Sequence, residues 1–82
     1  MSDINDLIHS DVEWISKRAT LVKEVGDNLT AGKITKEEAT ELMQNIMDTD
    51  LLNEEANDIK MKTELIEAVK IFTDNLGLIL SL

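Results

Sequence analysis

The sequence predicts an all-α protein. It is either a three-helix antiparallel bundle in long-short-long order or a helical hairpin, completed by oligomerisation or by a partner. The 82 residues hold no proline and only three glycines, so little in the chain interrupts a helix. Apolar residues recur three and four positions apart over two long stretches, which is the spacing of amphipathic helices. A shorter segment between them opens like a capped helix. We expect one helical domain over residues 1–82.

The first helix is predicted over about residues 3–30, with Ser2 or Asp3 as its N-cap. Its apolar residues form a heptad seam in which Ala19 and Gly26 are small. A second apolar row widens this face to about half of the circumference, so we expect the helix to contact two others. The seam comprises Ile8, Val12, Ile15, Ala19, Val22, Gly26 and Leu29, and the second row comprises Leu7, Trp14 and Leu21.

The second helix is predicted over about residues 36–47, after a turn in which Gly32 supplies a positive φ. Thr35 and Glu38 have the spacing of a capping box, in which each side chain accepts a hydrogen bond from the backbone N–H of the other residue. The apolar face of this helix carries Ala39, Leu42, Met43, Ile46 and Met47.

The third helix is predicted over about residues 51–76, capped by Asp50 or Asn53, followed by an apolar tail over residues 77–82. Gly77 is placed to end the helix, which would release the tail as an extended segment. The helix face is marked by Leu52, Ala56, Ile59, Ile66, Val69, Thr73, Leu76 and Leu80, with Leu65, Phe72 and Ile79 beside it.

Composition excludes several classes of function. The net charge is −9, which disfavours contact with nucleic-acid phosphates and with anionic membrane surfaces. With no cysteine and one histidine, the chain offers neither a disulfide nor a thiolate zinc site. The acidic N-terminus lacks the basic region of a signal peptide. The C-terminal apolar segment contains Glu67, Lys70 and Asp74, so it is not a membrane span of about 20 apolar residues. We therefore expect a cytoplasmic protein, located in the host cytoplasm or virion if it is virus-encoded.

The segment 37–58 holds eight acidic residues and no basic one. Three interpretations stay open. The acids form a solvated surface that also favours two helix N-termini, or they mimic nucleic acid and occupy a basic cleft of a partner, or they bind a divalent metal ion. For the last, Glu38 and Glu41 would face Glu55 and Asp58, because carboxylates three residues apart share one helix face.

The metal interpretation comes with a family resemblance. Glu37-Glu38-Ala39-Thr40-Glu41 followed by Glu55-Ala56-Asn57-Asp58 resembles the EExxE and ExxD motifs of MazG-like all-α nucleotide pyrophosphohydrolases. The resemblance covers roughly residues 36–80. It implies that Glu38, Glu41, Glu55 and Asp58 would hold Mg²⁺, which would activate a water molecule against a nucleoside triphosphate.

We expect instead a non-enzymatic protein–protein interaction module without a cofactor. The apolar faces of the predicted long helices exceed what a chain of this size covers by itself, so a second copy, another protein or both should complete the core. Small acidic chains of this style occur among virus-encoded assembly and accessory factors. The predicted partner-binding residues are Trp14, Phe72, Leu76, Leu78, Ile79, Leu80 and Leu82.

Overall fold

The long first helix of the prediction is in fact two helices joined by a turn. The computed structural model describes residues 3–48 and 59–80, and in it α1 spans Ile4–Ile8 and α2 spans Glu13–Thr30. The prediction of one continuous helix over residues 3–30 is therefore wrong between these two helices. The apolar surface that a straight helix would have left open is partly covered from within the chain.

The turn is held by serine hydroxyls. Ser10 Oγ accepts a hydrogen bond from the Val12 N–H at 3.1 Å, which favours a non-helical backbone at this point. Ser16 Oγ donates to the Ile8 carbonyl at 2.6 Å and thereby joins the end of α1 to the first turn of α2. The sequence carried a signal here, because a serine such as Ser10 can hydrogen-bond nearby backbone groups in place of the helical pattern.

The short helix α1 packs against both α2 and α4, and it buries Ile4 and Leu7. A five-residue helix has almost no stability of its own. Burial of two large aliphatic side chains, worth about 1.5–3 kcal/mol each, supplies the missing free energy. Asp3 is the N-cap, as predicted, and forms a capping box with Asp6; the alternative cap, Ser2, lies outside the described residues.

The turn after α2 and the start of α3 follow the local prediction. Gly32 has φ +75°, and the Lys33 N–H donates to the Asn28 carbonyl at 2.9 Å, which is the long hydrogen bond of a Schellman motif. Helix α3 spans Lys36–Ile46. Its capping box is complete, with the Glu38 N–H 3.1 Å from Thr35 Oγ1 and the Thr35 N–H 3.0 Å from Glu38 Oε1.

Helix α4 spans Ile59–Asn75 and ends in a second Schellman motif. Gly77 has φ +74°, the Leu78 N–H donates to the Thr73 carbonyl at 2.9 Å, and the Gly77 N–H donates to the Asp74 carbonyl at 3.1 Å. The predicted start of this helix at residue 51, its capping by Asp50 or Asn53, and the face positions Leu52 and Ala56 lie outside the described residues.

The described segments are all helical apart from turns and short connections, which confirms the all-α class for this part of the chain. Helix α2 is the centre of the packing, since it contacts α1, α3 and α4. One predicted face position is wrong: Ile59 is 81% exposed, because the buried face of α4 runs through Leu65, Ala68 and Val69 instead. The core comprises Ile4, Leu7, Ile15, Ala19, Val22, Val25, Ala39, Met43, Met47, Leu65, Ala68, Val69 and Leu78.

Helices α2 and α4 are in close contact where Phe72 lies against Gly26. A Cβ built on Gly26 would be 2.5 Å from Phe72 Cζ and 3.3 Å from Leu76 Cδ1. Real carbon atoms do not approach to the shorter of these distances, so the absence of a side chain at Gly26 is what admits the aromatic ring. The small residue in the predicted seam thus has a packing role.

We expect Gly26→Ala to destabilise the protein by about 1 kcal/mol. Overpacking against Phe72 costs about 1–3 kcal/mol, which outweighs the gain of about 1 kcal/mol from replacing a helical glycine. Urea unfolding measures the difference, with the exposed Asn28→Ala in the same helix as the control for helix propensity. A shortened side chain, Phe72→Leu, should recover part of the loss in the double variant. Higher stability of Gly26→Ala alone would contradict this packing.

Candidate interaction groove

Arg18 of α2 bonds to the C-terminal end of α3. This arginine is buried, and its Nη1 donates a hydrogen bond to the carbonyl of Ile46, the last residue of α3. The last turn of α3 contains no basic residue of its own. A cation at a helix C-terminus interacts favourably with the helix dipole and satisfies a carbonyl that has no partner within the helix. Arg18 therefore caps α3 from the neighbouring helix.

The chain after α4 turns back onto the core instead of being released from it. Leu78 is only 4% exposed and belongs to the core, whereas Ile79 is 91% exposed and Leu80 is partly buried. The Schellman motif explains the burial of Leu78, because a hydrophobic residue directly after the left-handed glycine commonly packs against the last turn of its helix. The extended tail of the prediction is thus anchored at its start.

The other predicted partner-binding residues differ in their exposure. Trp14, Phe72 and Leu76 are partly buried against the core, and Leu82 lies outside the described residues. Ile79 is therefore the most exposed of the predicted partner-binding residues that the structure describes. Its neighbour Leu78 contributes to the stability of the chain itself.

An open groove lies between α3 and residues 77–79, with a volume of about 560 Å³. This volume is within the range of about 300–1,000 Å³ that is typical of ligand sites. Leu78 and Ile79 provide its apolar side. The α3 side is formed by Lys36, Glu37, Thr40, Glu41, Gln44 and Asn45.

The charges of the groove are unevenly distributed. Lys36 lies at the Gly77 end, where its Nζ is 3.3 Å from the place that a Cβ on Gly77 would occupy. The negative end of the α4 dipole lies at this same end of the groove. Glu37 and Glu41 follow along α3 one helical turn apart, and both are exposed. The wall beyond Lys36 is therefore acidic and polar.

A smaller groove of about 320 Å³ lies where α1 crosses α2 and α4. It is bordered by Ile71 and Phe72 of α4, by Lys23 of α2 and by Asp3 and Asn5 of α1. Ile71 is 46% exposed at its rim. Lys23 forms an ion pair with Asp27, Nζ to Oδ2 2.9 Å, along the same helix. This groove combines one cation with one anion and has no strong charge of either sign.

Two of the four acidic residues of the magnesium hypothesis, Glu38 and Glu41, lie in the described part of the chain. Glu38 is engaged in the Thr35 capping box, and Glu41 borders a shallow surface depression with Leu42. Glu55 and Asp58 lie outside the described residues. Among residues 3–48 and 59–80, no three acidic, histidine or cysteine side chains are grouped so that they could hold a metal ion. The magnesium site stays a hypothesis.

Comparison of the chain with known protein families, with curated proteins and with solved structures finds no match. The resemblance to pyrophosphohydrolases accordingly has only the motifs in the sequence behind it, which are the acidic ones and the downstream Asp74-Asn75-Leu76-Gly77-Leu78. None of the helices in the described segments is long and apolar enough to cross a membrane.

Two features of the site were not predicted from the sequence. Nothing in the helical pattern distinguishes Arg18 from an exposed basic residue. Its capping role arises because the last residue of α3 lies beside it in the folded chain. The groove wall on α3 is polar in sequence and becomes part of a groove only because residues 77–79 lie beside it. Gly77 was the available signal, since it fixes the direction in which the chain leaves α4.

We expect side-chain truncation at two adjacent residues of the tail to change the free energy of unfolding by very different amounts. Leu78→Ala should lower the free energy of unfolding by about 2–5 kcal/mol, because it leaves a cavity in the core. Ile79→Ala should change it by no more than about 0.5 kcal/mol, because its side chain is in water. Thermal and urea unfolding of the two variants provide the test. Equal effects would contradict the anchored tail.

We expect Arg18→Met to destabilise the protein by about 1–3 kcal/mol, since it keeps the aliphatic bulk but removes a charged donor from the α3 terminus. The exposed neighbour Lys17→Met is the control and should be close to neutral. Amide hydrogen exchange localises the effect, with faster exchange expected in the last turn of α3. An unchanged exchange rate there would argue against the cap.

Proposed function

We propose that this chain is a non-enzymatic protein–protein interaction module, an assembly or accessory factor that docks through the groove between α3 and residues 77–79. The observation that carries the proposal is the exposure of Ile79. A large aliphatic side chain that is 91% exposed lies at the side of an open groove, directly after a residue that is packed in the core. Such a side chain gains free energy when a partner covers it.

The scaffold in this proposal is the long-short-long antiparallel bundle of the sequence prediction, with α1 folded back as an addition. Arg18 in the first half of α2 caps the last residue of α3, which supports opposite directions for these two helices. Completion by a partner or by further copies belongs to the same proposal. Partly exposed apolar residues on several helices support it: Leu21, Leu42 and Ile71.

Partner binding is a better account of the described surface than catalysis. The groove side chains are one lysine, two glutamates, two amides, a threonine and two aliphatic residues. These groups recognise and orient a ligand, but they include no nucleophile paired with a base. The alternative, a magnesium-dependent pyrophosphohydrolase, would use Glu38, Glu41, Glu55 and Asp58 and needs a separate test.

The proposal is tested with the purified chain immobilised at low density and exposed to extract from its source cells. We expect a saturable, stoichiometric partner whose binding is weakened about tenfold or more in Ile79→Ser, because a buried isoleucine contributes about 1.5–3 kcal/mol. Ile59→Ser is the matched control, since Ile59 is also highly exposed but does not border the groove. Circular dichroism confirms that both variants remain folded.

Two results would contradict this function. One is partner binding that is equally strong in the wild type, Ile79→Ser and Ile59→Ser. The other is magnesium-dependent hydrolysis of nucleoside triphosphates that is lost in Glu41→Gln and Glu55→Gln, which would establish the enzyme instead.

A further inference from the structure

We infer that the occupant of the groove is a basic amphipathic helix of a different protein. This inference rests on the proposed function and adds the chemistry of the partner. An apolar stripe of that helix would contact the exposed side chain of Ile79, and its Lys or Arg side chains would face Glu37 and Glu41. Helices with an apolar face commonly bind other proteins by placing that face in a groove.

The charge pattern of the groove favours a cationic partner. Beyond Lys36, the charged groups on its α3 wall are the carboxylates of Glu37 and Glu41. They lie one turn apart, so cationic side chains at the same spacing on an adjacent helix can approach both. Thr40, Gln44 and Asn45 add hydrogen-bonding groups along the same wall. The net charge of −9 also attracts a basic chain over longer distances.

A second copy of this chain fits the groove less well. A two-fold interface places the same patch of both copies face to face. Both patches would bring the same excess of negative charge, Glu37 and Glu41 against Lys36, into one interface, and like charges are unfavourable where water is excluded. Two copies also carry −9 each, so they repel one another before contact. The electrostatics therefore select a different protein.

The length of the groove indicates how much of the partner it holds. From Lys36 to Asn45 the α3 wall rises by roughly 14 Å, at about 1.5 Å per residue. A partner helix of about three turns would cover this wall, with apolar residues spaced i, i+3, i+4 and i+7. A flat acidic surface that mimics nucleic acid would have no such requirement for apolar spacing.

The test uses three fluorescent synthetic peptides of about 14 residues, each long enough to form a helix along the wall. The first has leucine at i, i+3, i+4 and i+7 and lysine on the flanks. The second replaces the lysines with glutamine, and the third replaces the leucines with serine. Fluorescence anisotropy gives the Kd of each peptide for the wild-type chain and for its variants, at about 0.05 M and about 0.5 M salt.

We expect the leucine–lysine peptide to bind best. Its affinity should fall about three- to tenfold in the double variant Glu37→Gln, Glu41→Gln and about tenfold or more in Ile79→Ser. The control double variant Glu24→Gln, Glu67→Gln changes the net charge equally at exposed sites outside the groove, and it should bind almost as well as the wild type. High salt should weaken the lysine peptide more than the glutamine peptide.

Each of the other possible outcomes would overturn either the basic partner, the docking in the groove or both. Equal binding of the lysine and glutamine peptides, still lost in Ile79→Ser, removes the basic partner but leaves groove docking intact. Equal binding by the serine peptide, insensitive to Ile79→Ser, shows a general acidic surface and overturns the inference. Binding unaffected by Ile79→Ser for every peptide also removes the groove from the proposed function. Self-association in sedimentation equilibrium that Ile79→Ser abolishes would make a second copy the occupant.

Discussion

The constraint on which the rest of the structure depends is the wide apolar face of α2. This helix carries Ile15, Ala19 and Val22 at its centre, all fully buried, and it contacts the other three helices of the described segments. A chain of 82 residues has few elements with which to cover such a face. Helix α1 is one of these elements, because the turn between α1 and α2 lets α1 fold back and pack against α2.

The groove results from the way in which α3, α4 and the chain after α4 pack around α2. Helix α4 approaches α2 closely at Gly26, and α3 is fastened to α2 at its C-terminal end by Arg18. The Schellman motif at Gly77 then directs the chain back, so that Leu78 enters the core and Ile79 is left in water. A packed residue and an exposed residue thus follow each other at one edge of α3. Leu78 therefore stabilises the fold, whereas Ile79 contributes to the surface.

Local chemistry in the sequence predicted much of this fold, and long-range packing accounts for what it missed. Thr35, Glu38, Gly32 and Gly77 act through hydrogen bonds within a few residues, so their roles can be derived from spacing alone. The break after α1 could not be read from apolar spacing, because the heptad pattern continues through it. The burial of Leu78 and the groove beside it also require the position of α3, which no local pattern contains. For the same reason, the acidic character of residues 37–58 could be predicted from the sequence, but the position of Glu37 and Glu41 beside Ile79 could not.

The folded-back α1 is the feature that separates this structure most clearly from a simple rod, and NMR measures it directly. This position of α1 predicts nuclear Overhauser contacts between the side chain of Ile4 and those of Ala68 and Phe72, which border the same small groove. It also predicts that the helical contacts between residues three apart are interrupted from His9 to Val12. Unbroken helical contacts through this segment, without any contact from Ile4 to α4, would contradict it.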